Sequence, residues 1–194
     1  MILKGRERPM TYEMKIAGLT RHLPLCRISD DLYIGAFVML GDQEICVAGA
    51  AELLKRIPGE YDYLLTAETK GIPLVHEMAR QSGARTYFIA RKEVKTYMPD
   101  SVGVDVNSIT TQHRQQLFLS GEDAAMMRGK RILLVDDVIS TGESMRALET
   151  LVEKVGGTVA GRMSILAEGD AQNRGDIVYL EKLPLFNPDG TVKD

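Results

Sequence analysis

The sequence predicts a doubly wound α/β fold, in which a mostly parallel sheet is flanked by helices. Short apolar runs at 62–67, 85–90, 131–135 and 158–166 alternate with segments of helical periodicity. The order strand, turn, helix, strand occurs twice, and this is the unit from which parallel sheets are built. A chain of 194 residues has the length of one ordinary domain, with or without a small appendage.

Both predicted strand–helix units have clear helix limits. In "IPLVHEMARQ", Pro73 suits a first helical turn and Gly83 suits a helix end. In the second unit, apolar residues from Met145 to Val155 recur at helical spacing until Gly156 and Gly157. We therefore expect one helix after each of the strands at 62–67 and 131–135.

The first sixty residues follow a different pattern, which predicts a small N-terminal lobe. Two apolar stretches, 33–40 and 43–48, are separated by Gly41 and Asp42, a pair typical of a hairpin turn. A short helix is expected around "AAELLKRI". The predicted segments are an N-terminal segment with a hood lobe at 1–60, an α/β core at 61–185 and a C-terminal tail at 186–194.

Residues 96–120 form a long polar insertion between a strand and the next strand–helix unit. The insertion contains two alternating stretches, "SVGVDVNS" and "RQQLFLS". Insertions of this length are usually either functional or disordered. A plain surface hairpin is the alternative.

The composition excludes several classes of function. A net charge of -3 argues against sequence-independent binding of nucleic acid, which needs a basic surface. There is no apolar run long enough to span a membrane and no signal-peptide pattern, so we expect no membrane partner and a cytoplasmic protein. Cys26 and Cys46 lack zinc-ligand spacing and are expected to be reduced.

The turn after the predicted strand at 131–135 carries the strongest chemical signal. Ligands in open α/β sheets lie beyond the carboxyl ends of the strands, which directs attention to the turns at 66–71 and 136–144. In the second turn, hydroxyl side chains and Gly142 lead into a helix N-terminus, which favours an anion such as phosphate. The carboxylates of Asp136 and Asp137 would instead accept hydrogen bonds from hydroxyls or face a divalent cation.

A ribose 5-phosphate satisfies both halves of this turn, since it has a phosphate at one end and a diol at the other. The alternative is an ordinary solvated turn, because Asp, Ser and Thr are also common helix-capping residues.

The stretch "ILLVDDVISTGES" resembles the phosphoribosyl pyrophosphate (PRPP) signature of the type I phosphoribosyltransferases. The resemblance extends over roughly residues 30–185. "TAETKG" occupies the place of the family's pyrophosphate loop, "ARKEVK" resembles the basic segment of the purine-specific members, and 96–120 lies where those enzymes carry a flexible catalytic loop.

The resemblance implies a role for each matching residue. Asp136 and Asp137 would be the catalytic pair that holds the ribose hydroxyls, directly or through Mg²⁺ and water. The residues implied for the 5-phosphate are Ser140, Thr141, Gly142, Glu143 and Ser144. The residues implied for the pyrophosphate are Glu68, Thr69, Lys70, Gly71, Arg91, Lys92 and Lys95. The alternative for the last three is a solvated basic patch.

The resemblance also implies the reaction, in which a purine base displaces pyrophosphate from PRPP to give a nucleoside monophosphate. It further implies Mg²⁺ as cofactor and a homodimer. Adenine is the favoured base, with xanthine, hypoxanthine and guanine as alternatives. The loop departs from the Tyr and Glu pattern typical of adenine phosphoribosyltransferases, and the order of Ser108, Ile109, Thr110 and Gln112 is similar to that in the loop of the bacterial xanthine phosphoribosyltransferases. The general acid or base at the purine has no assignment.

Two points stay open from the sequence. Ile34, Phe37 and Met39 are candidates for stacking on the base, with hairpin core as the alternative. A regulatory module that senses PRPP without catalysis is the alternative function, although the acidic charge balance and hairpin periodicity of the N-terminal residues argue against an attached DNA-binding domain.

Overall fold

A computed structural model describes residues 10–106 and 115–193 of the chain. The strands are β1 (Thr11–Ile16), β2 (Leu19–Arg27), β3 (Tyr33–Gly35), β4 (Tyr63–Ala67), β5 (Phe88–Ala90), β6 (Val102–Val106), β7 (Gln115–Leu119), β8 (Arg131–Ile139), β9 (Thr158–Glu168), β10 (Val178–Leu183) and β11 (Leu185–Phe186). The α-helices are α1 (Gln43–Leu54), α2 (Ile72–Ser82), α3 (Gly121–Met127) and α4 (Glu143–Lys154), and a 3-10 helix spans Gly169–Asn173.

The centre of the fold is a parallel sheet with the strand order β10-β9-β8-β4-β5. The runs Leu64–Leu65 of β4 and Ile132–Val135 of β8 are fully buried and apolar, as expected where both faces of a parallel sheet are covered. Successive side chains enter different cores: Leu64 and Leu133 pack on one face, and Leu65 and Leu134 pack on the other. The predicted doubly wound α/β fold is confirmed.

Helices cover both faces of this sheet. Leu53 of α1 and Met78 of α2 are buried in one core cluster, while Leu148 and Leu151 of α4 are buried in the other together with Leu119 of β7. The second predicted helix begins at Glu143 and gives way to Gly156, which has a φ of +81°. Within the described residues, no helix is long and apolar enough to cross a membrane.

The predicted hairpin at 33–48 is wrong. Residues Tyr33–Gly35 form a short strand, and Gln43–Leu54, which include the expected second hairpin strand and much of "AAELLKRI", form one helix. Asp42 is a helix N-cap rather than a turn residue, since its Oδ1 accepts a hydrogen bond of 3.1 Å from the backbone N–H of Ile45. The buried positions of α1, from Ile45 to Leu53, recur at helical spacing because this face packs on the sheet.

The small lobe exists, but other strands build it. Its antiparallel sheet has the order β1-β2-β3-β11, and its hairpin is β1 with β2. β11 comes from the far end of the chain, where Phe186 pairs with Tyr33 and is fully buried. The small lobe therefore combines three strands that precede residue 36 with one strand at Leu185–Phe186. The division of the chain at residues 60 and 185 stays a prediction.

The insertion at 96–120 contains an antiparallel pair, β6 with β7. The backbone of Arg91 forms two hydrogen bonds of 2.8 Å with that of Phe118, which attaches the pair to the end of β5. Ser108, Ile109, Thr110 and Gln112 lie outside the described residues. The predicted role of the insertion as a catalytic loop stays a prediction.

Candidate functional site

The turn between β8 and α4 forms a concave loop of backbone, which we call the phosphate loop (residues 140–144). Gly142 is the N-cap of α4 with a φ of +78°, a conformation that favours glycine and provides no capping side chain. The backbone N–H of Glu143, the first residue of α4, donates to Thr141 Oγ1 at 3.5 Å. The positive end of the helix dipole at this turn favours an anion. All five residues of the loop line one small cavity with Asp136.

Asp136 and Asp137 stand at the carboxyl end of β8, beside this loop. Asp137 is 4% exposed, and its backbone N–H donates a 2.9 Å hydrogen bond to Oδ1 of Asp136. Burial and the charge of the Asp137 carboxylate raise the pKa of Asp136, while Lys70 acts in the opposite direction. Two adjacent carboxylates in this setting favour a cationic or hydroxyl-bearing ligand.

The turn between β4 and α2 lies next to Asp136 and Asp137. β4 and β8 are neighbouring parallel strands, and Leu65 pairs with Leu134, so the two turns leave the sheet side by side. Lys70 Nζ lies 3.1 Å from Asp137 Oδ2. A β-carbon on Gly71 would lie 3.5 Å from Asp136 Oδ1 and would also meet Thr66, which explains why glycine fits here.

A cavity of about 350 Å³ connects the two turns. Its lining combines apolar surface with cationic and anionic side chains. The lining residues are Ala67, Glu68, Thr69, Lys70, Lys92, Val106, Leu117, Asp136, Asp137, Val138 and Ser144. The structure thus brings Glu68, Thr69 and Lys70 together with both aspartates, as the sequence predicts.

The basic residues that follow β5 have different environments in the structure. Lys92 lines the cavity, and its backbone N–H donates a 3.0 Å hydrogen bond to Glu68 Oε2. Arg91 donates from Nη2 to the hydroxyl of Tyr97 at 3.1 Å, while its buried Nε lies 3.7 Å from Glu68 Oε1 without a hydrogen bond. Lys95 does not line the cavity, and its Nζ donates a 2.8 Å hydrogen bond to Glu93.

The three candidates for stacking on a base have different environments. Phe37 is 5% exposed and Met39 is fully buried, and both belong to the core cluster beneath the small lobe. Ile34 is half-buried in β3, between Cys26 of β2 and Leu185 of β11. For Phe37 and Met39 the structure matches the core alternative, because neighbouring elements already cover their side chains.

The two aspartates suit Mg²⁺ in chemical terms. Asp137 Oδ2 is buried and has no hydrogen-bond partner in the described residues, although Lys70 lies near it. Oxygen donors are the ligands that Mg²⁺ prefers, and the ion is commonly held by one or two carboxylates with water and phosphate oxygens. Within residues 10–106 and 115–193, no group of three or more His, Cys, Asp or Glu side chains is arranged to hold a metal. Water and substrate would therefore supply the remaining ligands.

The structure adds residues that the sequence did not indicate. Val106 and Leu117 of the β6–β7 pair form an apolar wall of the cavity. Arg174, which follows the 3-10 helix, places its guanidinium against Gly142 of the phosphate loop. Arg174 lies 32 residues beyond Gly142 and in no recognisable motif, so no local pattern marks it.

Known proteins match the chain in sequence and in fold. The model of the phosphoribosyl transferase domain family matches residues 40–180. A hypoxanthine/guanine phosphoribosyltransferase of Methanotorris igneus is 29% identical over 124 residues, which are 63% of each chain. An adenine phosphoribosyltransferase of Bifidobacterium longum is 31% identical over 118 residues, which are 61% of this chain and 58% of that one. The matched region is thus less than two thirds of the length of these relatives.

Solved structures show the same fold. Adenine phosphoribosyltransferase from Thermoanaerobacter pseudethanolicus superposes with a TM-score of 0.62 at 22% identity, covering 89% of this chain and 95% of that one. The enzyme from Giardia lamblia, crystallised with 9-deazaadenine, gives a TM-score of 0.59 at 15% identity over 89% and 93% of the two chains. The type I phosphoribosyltransferase fold is confirmed. Because the family model covers most of the sequence, the chain belongs to the phosphoribosyl transferase family, whose named relatives are transferases of the glycosyltransferase type.

Proposed function

We propose that the protein is a purine phosphoribosyltransferase of nucleotide salvage. It would transfer 5-phosphoribose from PRPP to a purine base and release pyrophosphate. The observation that carries this proposal is the meeting of two strand-end turns at two adjoining cavities that share Asp136 and Ser144. The phosphate loop lines one of them, and Lys70 with both carboxylates lines the other. PRPP needs these three environments, for its 5-phosphate, its ribose diol and its pyrophosphate.

The phosphate loop suits the 5-phosphate. The hydroxyls of Ser140, Thr141 and Ser144 can act as donors around one small cavity at the N-terminus of α4. The helix dipole adds positive potential at the same point. Binding of this end would set the distance from the loop to the reacting carbon.

Asp136 and Asp137 suit the ribose. Their oxygens would accept hydrogen bonds from the two ribose hydroxyls, and their negative charge favours a ribose that becomes cationic as the C1–oxygen bond breaks. The same carboxylates would hold Mg²⁺, directly or through water, and the chemistry that the ion supplies is neutralisation of the negative charge on PRPP.

Lys70 and Lys92 suit the leaving group. Both line the cavity, and pyrophosphate gains negative charge as it departs. Donors aimed at charge that develops in the transition state usually give the largest single catalytic contribution. The new bond forms between a purine nitrogen and C1, while the bonding electrons of the broken C1–oxygen bond leave with pyrophosphate. The proton of that purine nitrogen is released with the products. The insertion at 96–120 would exclude water, the competing nucleophile.

Adenine is the proposed base. The named relatives include both adenine and hypoxanthine/guanine phosphoribosyltransferases, and the structural neighbours from Thermoanaerobacter pseudethanolicus and Giardia lamblia are adenine enzymes. A cytoplasmic location and a homodimer complete the proposal, and both rest on the family resemblance.

An assay of pyrophosphate release tests the proposal. Purified protein is supplied with PRPP, Mg²⁺ and one base at a time: adenine, guanine, hypoxanthine, xanthine, orotate or uracil. We expect release with adenine above the other purines and none with the two pyrimidines. Release with a pyrimidine alone would refute the purine assignment. Tight PRPP binding without release for any base would instead support the PRPP-sensing module.

A further inference from the structure

The guanidinium of Arg174 lies directly against the phosphate loop. A β-carbon built on Gly142 would be 2.7 Å from Arg174 Nη1, so the arginine occupies the side of the loop that glycine leaves open. Arg174 also lines a cavity of about 600 Å³ together with Ser140 and Thr141. This contact joins the segment after β9 to the turn after β8.

The carboxylate of Asp176 fixes the orientation of the Arg174 guanidinium. Nε and Nη2 of Arg174 donate to the two oxygens of Asp176 at 2.9 and 2.7 Å. This two-bond geometry holds the planar fork in one position. The Arg174 side chain is 26% exposed, and no residue in the described parts of the chain accepts a hydrogen bond from Nη1. The donor nearest to Gly142 is therefore the one left free.

The acidic residues in and beside the phosphate loop explain how a nearby arginine would help a phosphate to bind. Segment 136–144 has three acidic residues and no lysine or arginine. Lys70 lies near Asp137 rather than in the loop, and Arg146 lines a cavity with Ser140 and Thr141. A phosphate dianion in the loop would meet acidic side chains of the same segment, so a nearby positive charge would lower the free energy of binding.

We propose that Arg174 is a positioning residue for the 5-phosphate, supplying positive charge and a donor to the phosphate loop from the side of Gly142. The inference rests on the proposed function, because it requires a phosphate in that loop. Asp176 keeps the guanidinium in place, and the absence of a side chain on Gly142 leaves the space that the guanidinium fills.

Calorimetric titration with two ligands tests the inference. Ribose 5-phosphate reports on the phosphate loop, and pyrophosphate reports on the neighbouring turn at 68–71. For Arg174→Met we expect affinity for ribose 5-phosphate to fall about tenfold, as for loss of one charged donor. Affinity for pyrophosphate should stay within about twofold, since only the phosphate loop loses a donor. Arg174→Lys should recover part of the loss because it keeps the charge.

Two further variants make the test specific. Arg146→Met is the matched control, since Arg146 lines the same 600 Å³ cavity but not the space at Gly142, and we expect a smaller effect. Asp176→Asn keeps Arg174 but weakens its clamp, so it should lower affinity for ribose 5-phosphate less than Arg174→Met does. If Arg174→Met does not fold, Arg174→Lys and Asp176→Asn carry the comparison.

The results that overturn the inference are distinct from one another. Unchanged affinity for ribose 5-phosphate in Arg174→Met would remove the positioning role. Equal losses for both ligands would show a purely structural role, and an equal loss in Arg146→Met would show a general effect of surface charge. If the unmodified protein does not bind ribose 5-phosphate, the proposed function fails together with the inference.

Discussion

The ion pair between Lys70 and Asp137 should couple the two turns of the site in the free protein. The atoms Nζ and Oδ2 are 3.1 Å apart, and the exposed fractions of the two side chains are 49% and 6%. At an effective dielectric constant of about 20, opposite charges at this distance attract by about 5 kcal/mol. The exposure of Lys70 to solvent reduces this value strongly, so we expect a coupling of about 1–2 kcal/mol.

A double-mutant cycle measures this coupling. The variants are Lys70→Met, Asp137→Asn and the combination, and urea denaturation without ligand or Mg²⁺ gives the free energy of unfolding of each. Lys70→Met should destabilise because it leaves the Asp137 carboxylate buried beside Asp136 without a cation. In the double variant the cost should be about 1–2 kcal/mol less than the sum of the single costs.

Additive single costs would contradict the reasoning, since they would mean that the ion pair contributes nothing to the free protein. Lys92→Met is the matched control, because Lys92 lines the same cavity and its side chain forms no ion pair in the described residues. Its coupling with Asp137→Asn should be close to zero. A coupling as large as that of Lys70 would show a diffuse effect of charge rather than a specific pair.

Three more predictions concern the carboxylates and the insertion. Replacing Asp136 and Asp137 together with Asn should lower turnover by at least about 100-fold, as for loss of groups that stabilise transition-state charge, while circular dichroism stays unchanged; unchanged turnover would refute their assignment. Since burial raises the pKa of Asp136 in the folded protein, the contribution of Asp136 to stability without Mg²⁺ should be fully present below the ordinary aspartate pKa and should be lost as pH rises through the folded pKa. Thermal melts over this pH range should show a smaller loss for Asp136→Asn than for the unmodified protein, and an equal loss would exclude Asp136 as its cause. Shortening the insertion at 96–120 should lower kcat more than PRPP affinity if the segment shields the reaction, whereas equal losses would argue against a lid.

The sequence was sufficient for the parts of the site that are built within one strand–turn–helix unit. Gly142 and the hydroxyls around it are found where the sequence places them because strand end, glycine and helix start are adjacent in the chain. The parallel sheet followed for the same reason, since its strands and helices alternate with clear periodicity.

The sequence was misleading where one residue type suits two structures. Asp42 after Gly41 fits a hairpin turn and also fits a helix N-cap, and packing of the following apolar residues on the sheet decided for the helix. Phe37 and Met39 likewise fit either a ligand surface or a core. They belong to a core cluster that joins β1, β2, α1 and α2 to the central sheet, and no motif had identified β1 and β2.

By itself, the sequence determined the strand–helix–strand order of the two local units and the residue types that meet in the turn at 136–144. Both depend on residues that are close together in the chain. Tertiary structure alone decided that Lys70 meets Asp137 and that Arg174 meets Gly142. Those contacts depend on the register between β4 and β8 and on the path of the chain after β9. Register and path are set by how two core clusters fill both faces of the sheet, which is a property of the whole chain rather than of any segment.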